Sequence, residues 1–365
     1  MVKTSIIITS YNNSHNLEQC LNSLINQDYD RNLIDLEIII VDSGSTDNSV
    51  EILNRYKDKI RIILKPFHLS RLSPAVARNI GVQNSKGDIL IFSDSDCIFP
   101  PNWVKDMSAS FRDHQIDCVI GNREPDIGKG WGTFIRRYDF ILYSNKFQIS
   151  KPILINKKSL QKGVPFVPLS GNNFAIKKEV LNKLGGMKTV FKRPAGEDIM
   201  LEIDLIKNGY NILFNPQDKV VHFHPLSMIE VFKKVFPRSE AIYLLSKYSN
   251  GFISWRHFAE RGHILNIRSF SLSILFIILT LSIAGLLEIP LFIILSVLLT
   301  VILLIIIYRT IRINKRLESI LNSKDEKYKK AYKISLFKLF YFDQIHFFMK
   351  VMASINFLWY SLIKK

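Results

Sequence analysis

Short runs of β-branched and aliphatic residues, each stopping abruptly at polar ones, alternate with segments of helical period. Thr4–Thr9 (TSIIIT) is the first run, Leu36–Val41 (LEIIIV) the second, Ile60–Leu64 the third and Asp88–Phe92 (DILIF) the fourth. Between the first two, Asn16–Ile25 carries Leu17, Leu21, Leu24 and Ile25 at helical spacing. The turn Asp42-Ser43-Gly44-Ser45-Thr46-Asp47 leads into a helix through Tyr56, and Pro74–Gln83 predicts another. Strands that alternate with helices in this way predict an α/β domain with a Rossmann-like, mostly parallel sheet covered by helices.

In such sheets, ligands lie in the crevice beyond the carboxyl ends of the strands. Polar residues gather at those ends: Ser10-Tyr11-Asn12 after the first run, Asp42 after the second, and Ser93 to Asp96 after the fourth. A dinucleotide-binding domain would need Gly-x-Gly-x-x-Gly after its first strand. The turn here reads Ser-Tyr-Asn-Asn-Ser, and the chain has no P-loop, so both of those classes fall away.

Ser269–Tyr308 is a stretch of another kind: 40 residues, 30 of them apolar, with Glu288 the one charge. A membrane-spanning helix needs roughly 20 apolar residues. Phe270–Leu287 and Leu291–Tyr308 are therefore expected to form a transmembrane hairpin, broken at Glu288-Ile289-Pro290. The alternative is a buried soluble hairpin, although soluble helices of that length usually keep a polar face. The charge distribution points the same way. The chain has 49 Lys+Arg and 32 Asp+Glu, a net charge of +17, and residues 309–365 hold 13 basic and 4 acidic residues. Arg261 and Arg268 precede the block while Arg309, Arg312, Lys315 and Arg316 follow it, so both flanks are expected in the cytoplasm. The start Met-Val-Lys-Thr-Ser-Ile lacks the pattern of a signal peptide.

The expected localisation is thus the inner or plasma membrane, multi-pass, with the catalytic part cytoplasmic. Ala331–Ile363 interleaves aromatic residues with lysines as interfacial amphipathic helices do, with 347–363 open as a third span. A hydrophobic fraction of 47% excludes a disordered chain. Cys20, Cys97 and Cys118 are too few and too scattered for a disulfide framework or zinc knuckle, and read as core residues of a reducing compartment. No nucleic-acid-binding motif accompanies the basic charge, which the expected lipid bilayer explains more simply.

Three acidic or imidazole-bearing groups could carry chemistry. Asp94-Ser95-Asp96 ends an apolar strand, where two close carboxylates can share a divalent cation and present it to phosphate oxygens. A solvated strand-end turn is the alternative. Gly196-Glu197-Asp198 opens the predicted helix Ile199–Lys207, where acids complement the helix dipole and where one could also act as a general base. His222 and His224 follow the apolar run Lys219-Val220-Val221 and could be structural or site residues.

Five segments in order resemble the family 2 glycosyltransferases, inverting enzymes of the A-type glycosyltransferase fold: SIIITSYNN (5–13), VDSGSTDNS (41–49), ARNIGVQNSKGDILIFSDSDC (77–97), PLSGNNFAIKKEVLNKLGGM (168–187) and GEDIMLEIDLIKNGYNILFNP (196–216). The resemblance covers residues ~4 to ~225. It implies that Ser10, Tyr11, Asn12 and Asp42 line a nucleotide base pocket, that Arg78 lies near base and phosphates, and that Asp94 and Ser95 lie near the ribose. It further implies that Asp96, with Asp94 and His222, binds Mg²⁺ or Mn²⁺ on the donor diphosphate, and that Asp198 is the catalytic base. Gly171, Asn172, Glu197 and His224 are expected on the acceptor side.

Two features depart from the family pattern. Asp42 is followed by Ser43 rather than a second acid, and the Gln-x-x-Arg-Trp signature of processive synthases is missing, since Phe232–Glu240 reads FKKVFPRSE. The implied partners are a nucleotide-diphosphate sugar donor and a lipid-linked or growing glycan acceptor. The alternatives are a polyprenyl-phosphate sugar synthase and a non-catalytic nucleotide-sugar-binding protein. The expected domains are a catalytic domain at 1–230, a helical juxtamembrane linker at 231–268, the hairpin at 269–308 and a basic C-terminal region at 309–365. Residues 122–167 are expected to form either an acceptor loop or a surface insertion.

Overall fold

The computed structural model describes residues 1–64, 71–125, 149–223 and 233–250, together with 227, 229, 252 and isolated positions from 308 onward. Strand β1 (Val2–Ser10), helix α1 (Ser14–Ile25), β2 (Ile34–Asp42), α2 (Ser49–Asn54), β3 (Arg61–Leu64), α3 (Pro74–Asn84) and β4 (Ile89–Asp94) follow the expected order. Then come β5 (Cys97–Ile98), α4 (Trp103–Ala109), β6 (Cys118–Pro125), β7 (Ile153–Ile155), α5 (Lys157–Gln161), β8 (Phe174–Lys177), α6 (Lys178–Lys183), α7 (Glu197–Lys207), β9 (Ile212–His222) and α8 (Val235–Tyr248).

The strands form one sheet in the order β3-β2-β1-β4-β8-β6-β9-β5, with β7 also pairing β9. β1 pairs in parallel with β2 and β4, and β2 with β3. Ile6, Ile7 and Ile8 of β1 are fully buried because a central parallel strand is covered on both faces, which is why its sequence is continuously apolar. Ile6 and Ile8 pack with Leu17, Leu21 and Leu24 of α1, while Ile7 belongs to the opposite face with Val82 of α3 and Leu201 and Leu205 of α7.

The sheet is mixed rather than mostly parallel. β8 runs antiparallel to both β4 and β6, and β9 is antiparallel to β5 and β7 while parallel to β6. The physical reason is connectivity: a parallel neighbour needs a helical crossover on one face. β8 instead follows β7 and α5 in the chain and runs opposite to β4 and β6.

The expected multi-pass membrane localisation is corrected. Among the described residues no helix is long and apolar enough to cross a membrane. The longest described helix, α8, has 14 residues, a length of about 21 Å against the ~30 Å hydrocarbon core. Residues 269–307, most of 331–363 and most of 122–148 lie outside the described residues. Contacts divide the chain into two compact units, and the first (Met1–Thr133, Asn145–Ser227 and Lys247–Phe252) contains the whole sheet and every site residue discussed below.

Candidate active site

The carboxyl ends of three adjacent parallel strands form one edge, because Ser10 is in register with Asp42 and Thr9 with Asp94. The turns that leave this edge are fastened to one another. Asn12, at φ +48°, donates its backbone N–H to Ser45 Oγ (2.8 Å), and its Oδ1 accepts from the Thr46 N–H (2.7 Å). Asn13 Nδ2 donates to the Ser95 carbonyl (2.6 Å), tying the β1 turn to the Asp94-Ser95-Asp96 turn. Ser10, buried, accepts from the Ser43 N–H at 2.8 Å through its carbonyl.

Asp42 is 1% exposed and holds its own turn: it accepts from the N–H groups of Gly44 (3.0 Å) and Ser45 (2.8 Å) and from Ser45 Oγ (2.5 Å). A cleft of about 390 Å³ opens beside it, lined by Asp42, Gly44, Ser45, Thr46, Asp47, Val50 and Leu64. Asp47 accepts from the N–H groups of Ser14 and Ser49, each at 3.0 Å. Partial burial pushes its pKa up, but these hydrogen bonds outweigh that and hold the carboxyl below its usual value.

The second edge is joined to the first by Arg78 of α3. Its guanidinium is buried, donating from Nη2 to Asp94 Oδ1 at 2.9 Å and from Nη1 to Glu197 Oε1 at 2.8 Å. Asp94 Oδ1 also accepts from Thr9 Oγ1 at 2.9 Å. Burial disfavours the Arg78 charge, but Asp94, Glu197 and Asp198 together more than restore it, so its pKa is raised and the side chain stays cationic. Glu197 feels the reverse balance. Burial, with the Asp198 charge beside it, pushes its carboxyl up to about 7 against the pull of Arg78, and among the described residues its Oε2 has no hydrogen-bond partner.

Gly196 stands at the N-cap of α7 with φ +92°, a left-handed turn that glycine adopts without steric cost and that starts the helix at Glu197. Asp198 is half-buried, and its Oδ2 accepts from the Gly171 N–H at 2.9 Å. Gly171 lies flat against Arg78: a Cβ there would fall 2.3 Å from Nη2 and 2.7 Å from Cζ.

The third group stands where β5 pairs with β9. Cys97 is in register with His222, and the Phe223 N–H donates to the Asp96 carbonyl at 2.9 Å. His222 Nε2 lies 3.3 Å from Asp96 Oδ2, and one ligand atom from each of Asp96, Cys97 and His222 falls within 4.8 Å of the others. Burial and the nearby Asp96 and Asp94 charges push the Cys97 thiol well above its ordinary value, so it is protonated at neutral pH. The carboxylate and imidazole are a donor pair that fits Mn²⁺ and, through the oxygen, Mg²⁺.

The structure thus gathers Ser10, Tyr11, Asn12, Asp42, Asp94, Ser95, Asp96, Arg78, Gly171, Asn172, Glu197, Asp198 and His222 at the ends of β1, β2, β4, β8 and β9 or in the turns and helices bordering them. His224 lies outside the described residues. Arg78, expected near the base and phosphates, contacts two carboxylates of the protein, Asp94 and Glu197. Four residues that sequence reasoning passed over also matter here. Arg71 places its guanidinium 3.9 Å from the centre of the Tyr11 ring. Asn13 links two turns, as described. Asn173, fully buried, accepts from Trp103 Nε1 (2.9 Å) and donates to the carbonyls of Asn122 (2.6 Å) and Asp218 (2.8 Å). Glu202, also fully buried, accepts from the Leu169 N–H at 2.7 Å. The second Asn of the Asn-Asn pair and the acid four residues after Asp198 were visible signals, whereas nothing marks Arg71.

Residues 5–185 match the family described as Glycosyl transferase family 2. The chain is 28% identical over 130 residues to the poly(ribitol-phosphate) β-N-acetylglucosaminyltransferase TarS of Staphylococcus aureus, an alignment covering 36% of this chain and 22% of that protein. It is 28% identical over 236 residues to glycosyltransferase AglE of Haloferax volcanii, covering 64% and 70% of the two chains. Among solved structures, a mannosyltransferase of Pyrobaculum calidifontis in complex with GDP-Man and Mn²⁺ superposes with a TM-score of 0.57 at 16% identity, covering 98% of this chain and 87% of that one. The S. aureus TarS 1-349 structure gives 0.51 at 17% identity, covering 98% and 91%. These likenesses show a shared fold, the A-type glycosyltransferase fold.

Proposed function

We propose that the chain, through residues 1–230, transfers a sugar from a nucleoside-diphosphate donor to a hydroxyl of a growing or lipid-linked glycan, with inversion at the anomeric carbon. The observation that carries this reading is the convergence of the strand-end Asp94 with Glu197 and Asp198 on Arg78, which makes two distant segments one edge. The TarS and AglE relatives support the sugar-transfer class, and the mannosyltransferase solved with GDP-Man and Mn²⁺ supports the donor and metal.

On this reading the base lies in the cleft between the Tyr11-Asn12 and Asp42–Thr46 turns, with the ribose near Asp94 and Ser95. Asp96 and His222 would hold a divalent ion, which when bound supplies positive charge to the leaving diphosphate. Asp198, its Oδ2 fixed by the Gly171 N–H, takes the proton of the acceptor hydroxyl. The acceptor oxygen then bonds to the anomeric carbon as the bond from that carbon to the phosphate oxygen breaks. Gly171, Asn172 and Glu197 border the acceptor's approach.

A panel of nucleotide sugars with glycan acceptors, read as released nucleoside diphosphate, tests the reading. Asp198→Asn should lower turnover by about 10³-fold, within the range a general base contributes, and leave nucleotide affinity within a few-fold. Full turnover in that variant would remove Asp198 from the base role and favour a phosphate acceptor, which needs no strong base.

A further inference from the structure

Arg78 carries charge in a place where a donor phosphate cannot reach it. It is 2% exposed; Nη1 is committed to Glu197 and Nη2 to Asp94, and Nε is buried without a hydrogen-bond partner among the described residues. One face of the guanidinium is covered by Gly171, so closely that a methyl group would overlap it. The same Gly171 donates its N–H to Asp198. Arg78 therefore touches the donor-side carboxylate, the residue preceding the proposed base, and the peptide that orients that base.

We infer that Arg78 is a positioning residue: its guanidinium is the strut that sets the proposed base Asp198 relative to the donor-side Asp94, and it does not bind the donor. The inference rests on the sugar-transfer reading above and adds to it how the two halves of the site are kept in register. The strut acts in two ways. A rigid fork with separate nitrogens can hold two carboxylates at a fixed spacing, which the single nitrogen of lysine cannot. Its charge also offsets three neighbouring acids; without it, Asp94, Glu197 and Asp198 would repel one another in a buried setting and spread the edge.

The test separates a strut from a phosphate contact. Arg78→Lys keeps the positive charge and loses the two-ended bridge, and Glu197→Gln keeps an acceptor oxygen for Nη1 and loses the acid's charge. Both variants and the double variant of the full chain are titrated with UDP and GDP, assayed for turnover, and unfolded in urea. A strut predicts that Arg78→Lys lowers kcat by about 100-fold, the scale of a 1 Å misplacement, with nucleotide Kd within about threefold. It predicts a smaller fall in kcat for Glu197→Gln at unchanged Kd, and a double variant scarcely less stable than Arg78→Lys alone, because both remove one bridge. A tenfold or larger rise in nucleotide Kd with kcat retained would make Arg78 a donor contact and overturn the strut, as would additive losses of stability. Wild-type turnover is scored separately. If no nucleotide sugar is consumed, the sugar-transfer reading fails, and the strut is then decided by the coupling in unfolding alone.

Discussion

At the edge proposed for the donor, the turns after β1, β2 and β4 hold one another through many separate bonds: Asn12 with Ser45 and Thr46, Asn13 with Ser95 and Ser49, Asp42 with Gly44 and Ser45. At the edge proposed for the acceptor, buried hubs do the same work. Arg78 gathers Asp94 and Glu197, Asn173 gathers Trp103, Asn122 and Asp218, and Glu202 fixes Leu169. The difference has a physical consequence. Loss of one bond in a distributed set is felt locally, whereas loss of a buried hub leaves several polar groups without partners at once. The donor edge should therefore tolerate substitution, and the acceptor edge should fail as a unit.

The largest predicted break is Gly171→Ala. The added methyl would collide with the Arg78 guanidinium, so either the strut or the peptide that holds Asp198 must shift. Turnover should fall by about 100-fold and stability by roughly 1–3 kcal/mol, while nucleotide affinity, a property of the other edge, changes by less than threefold. Equal losses of kcat and nucleotide affinity in calorimetry and steady-state assays would show that the two edges are not separable.

A second test uses pH. The Glu197 carboxyl, ordinarily near 4.5, is pushed up to about 7 in the folded chain by burial and by Asp198. The folded state therefore keeps a proton that the unfolded state gives up. The stability this contributes is fully present below about 4.5 and is lost as pH rises through about 7. Urea midpoints measured from pH 4.5 to 8 should fall in the wild type and flatten in Glu197→Gln. Parallel curves for the two proteins would mean that Glu197 does not titrate in this window, and that Arg78 wins the contest with burial.

The same contrast explains which features were legible in the sequence. β1, β2 and β4 announce themselves because parallel strands covered on both faces must be apolar throughout, and the polar residues that end them are the donor edge. Asp94, Asp96 and Asp198 are conspicuous as acids beside apolar elements. The antiparallel entry of β8, in contrast, is carried by four residues, Phe174–Lys177, after a long excursion, and no local period marks it. The meeting of His222 with Asp96 depends on the register of β5 with β9, a pairing between remote segments. Arg78 was visible as an arginine, but its burial between two acids belongs to the packing of α3 against α7 and β4. Cys97 shows the converse case: it shares the metal-like cluster by geometry, yet it is fully buried within the hydrophobic core. Nearly all of the apolar block that dominated the expectation of a membrane protein lies outside the described residues, and the described helices do not support that expectation.

The smallest predicted effect belongs to the donor edge itself. Asp42 accepts three hydrogen bonds within its own turn. Asp42→Asn removes the charge that strengthens them and leaves a single acceptor oxygen where two were used. The turn would loosen, and with it the wall of the cleft formed by Gly44, Ser45 and Thr46. Because Asn12 and Asn13 still tie the neighbouring turns to one another, the damage should stay at the base-binding end. A rise of about tenfold in donor KM is expected, equivalent to about 1.4 kcal/mol, with kcat within about twofold because Asp198 and Arg78 are untouched. Steady-state kinetics over a donor titration at saturating acceptor separates the two parameters. A fall in kcat at constant KM would show that the Asp42 turn communicates with the acceptor edge through the Ser10 to Ser43 link and the Thr9 to Asp94 bond, and that the donor edge behaves as a hub after all.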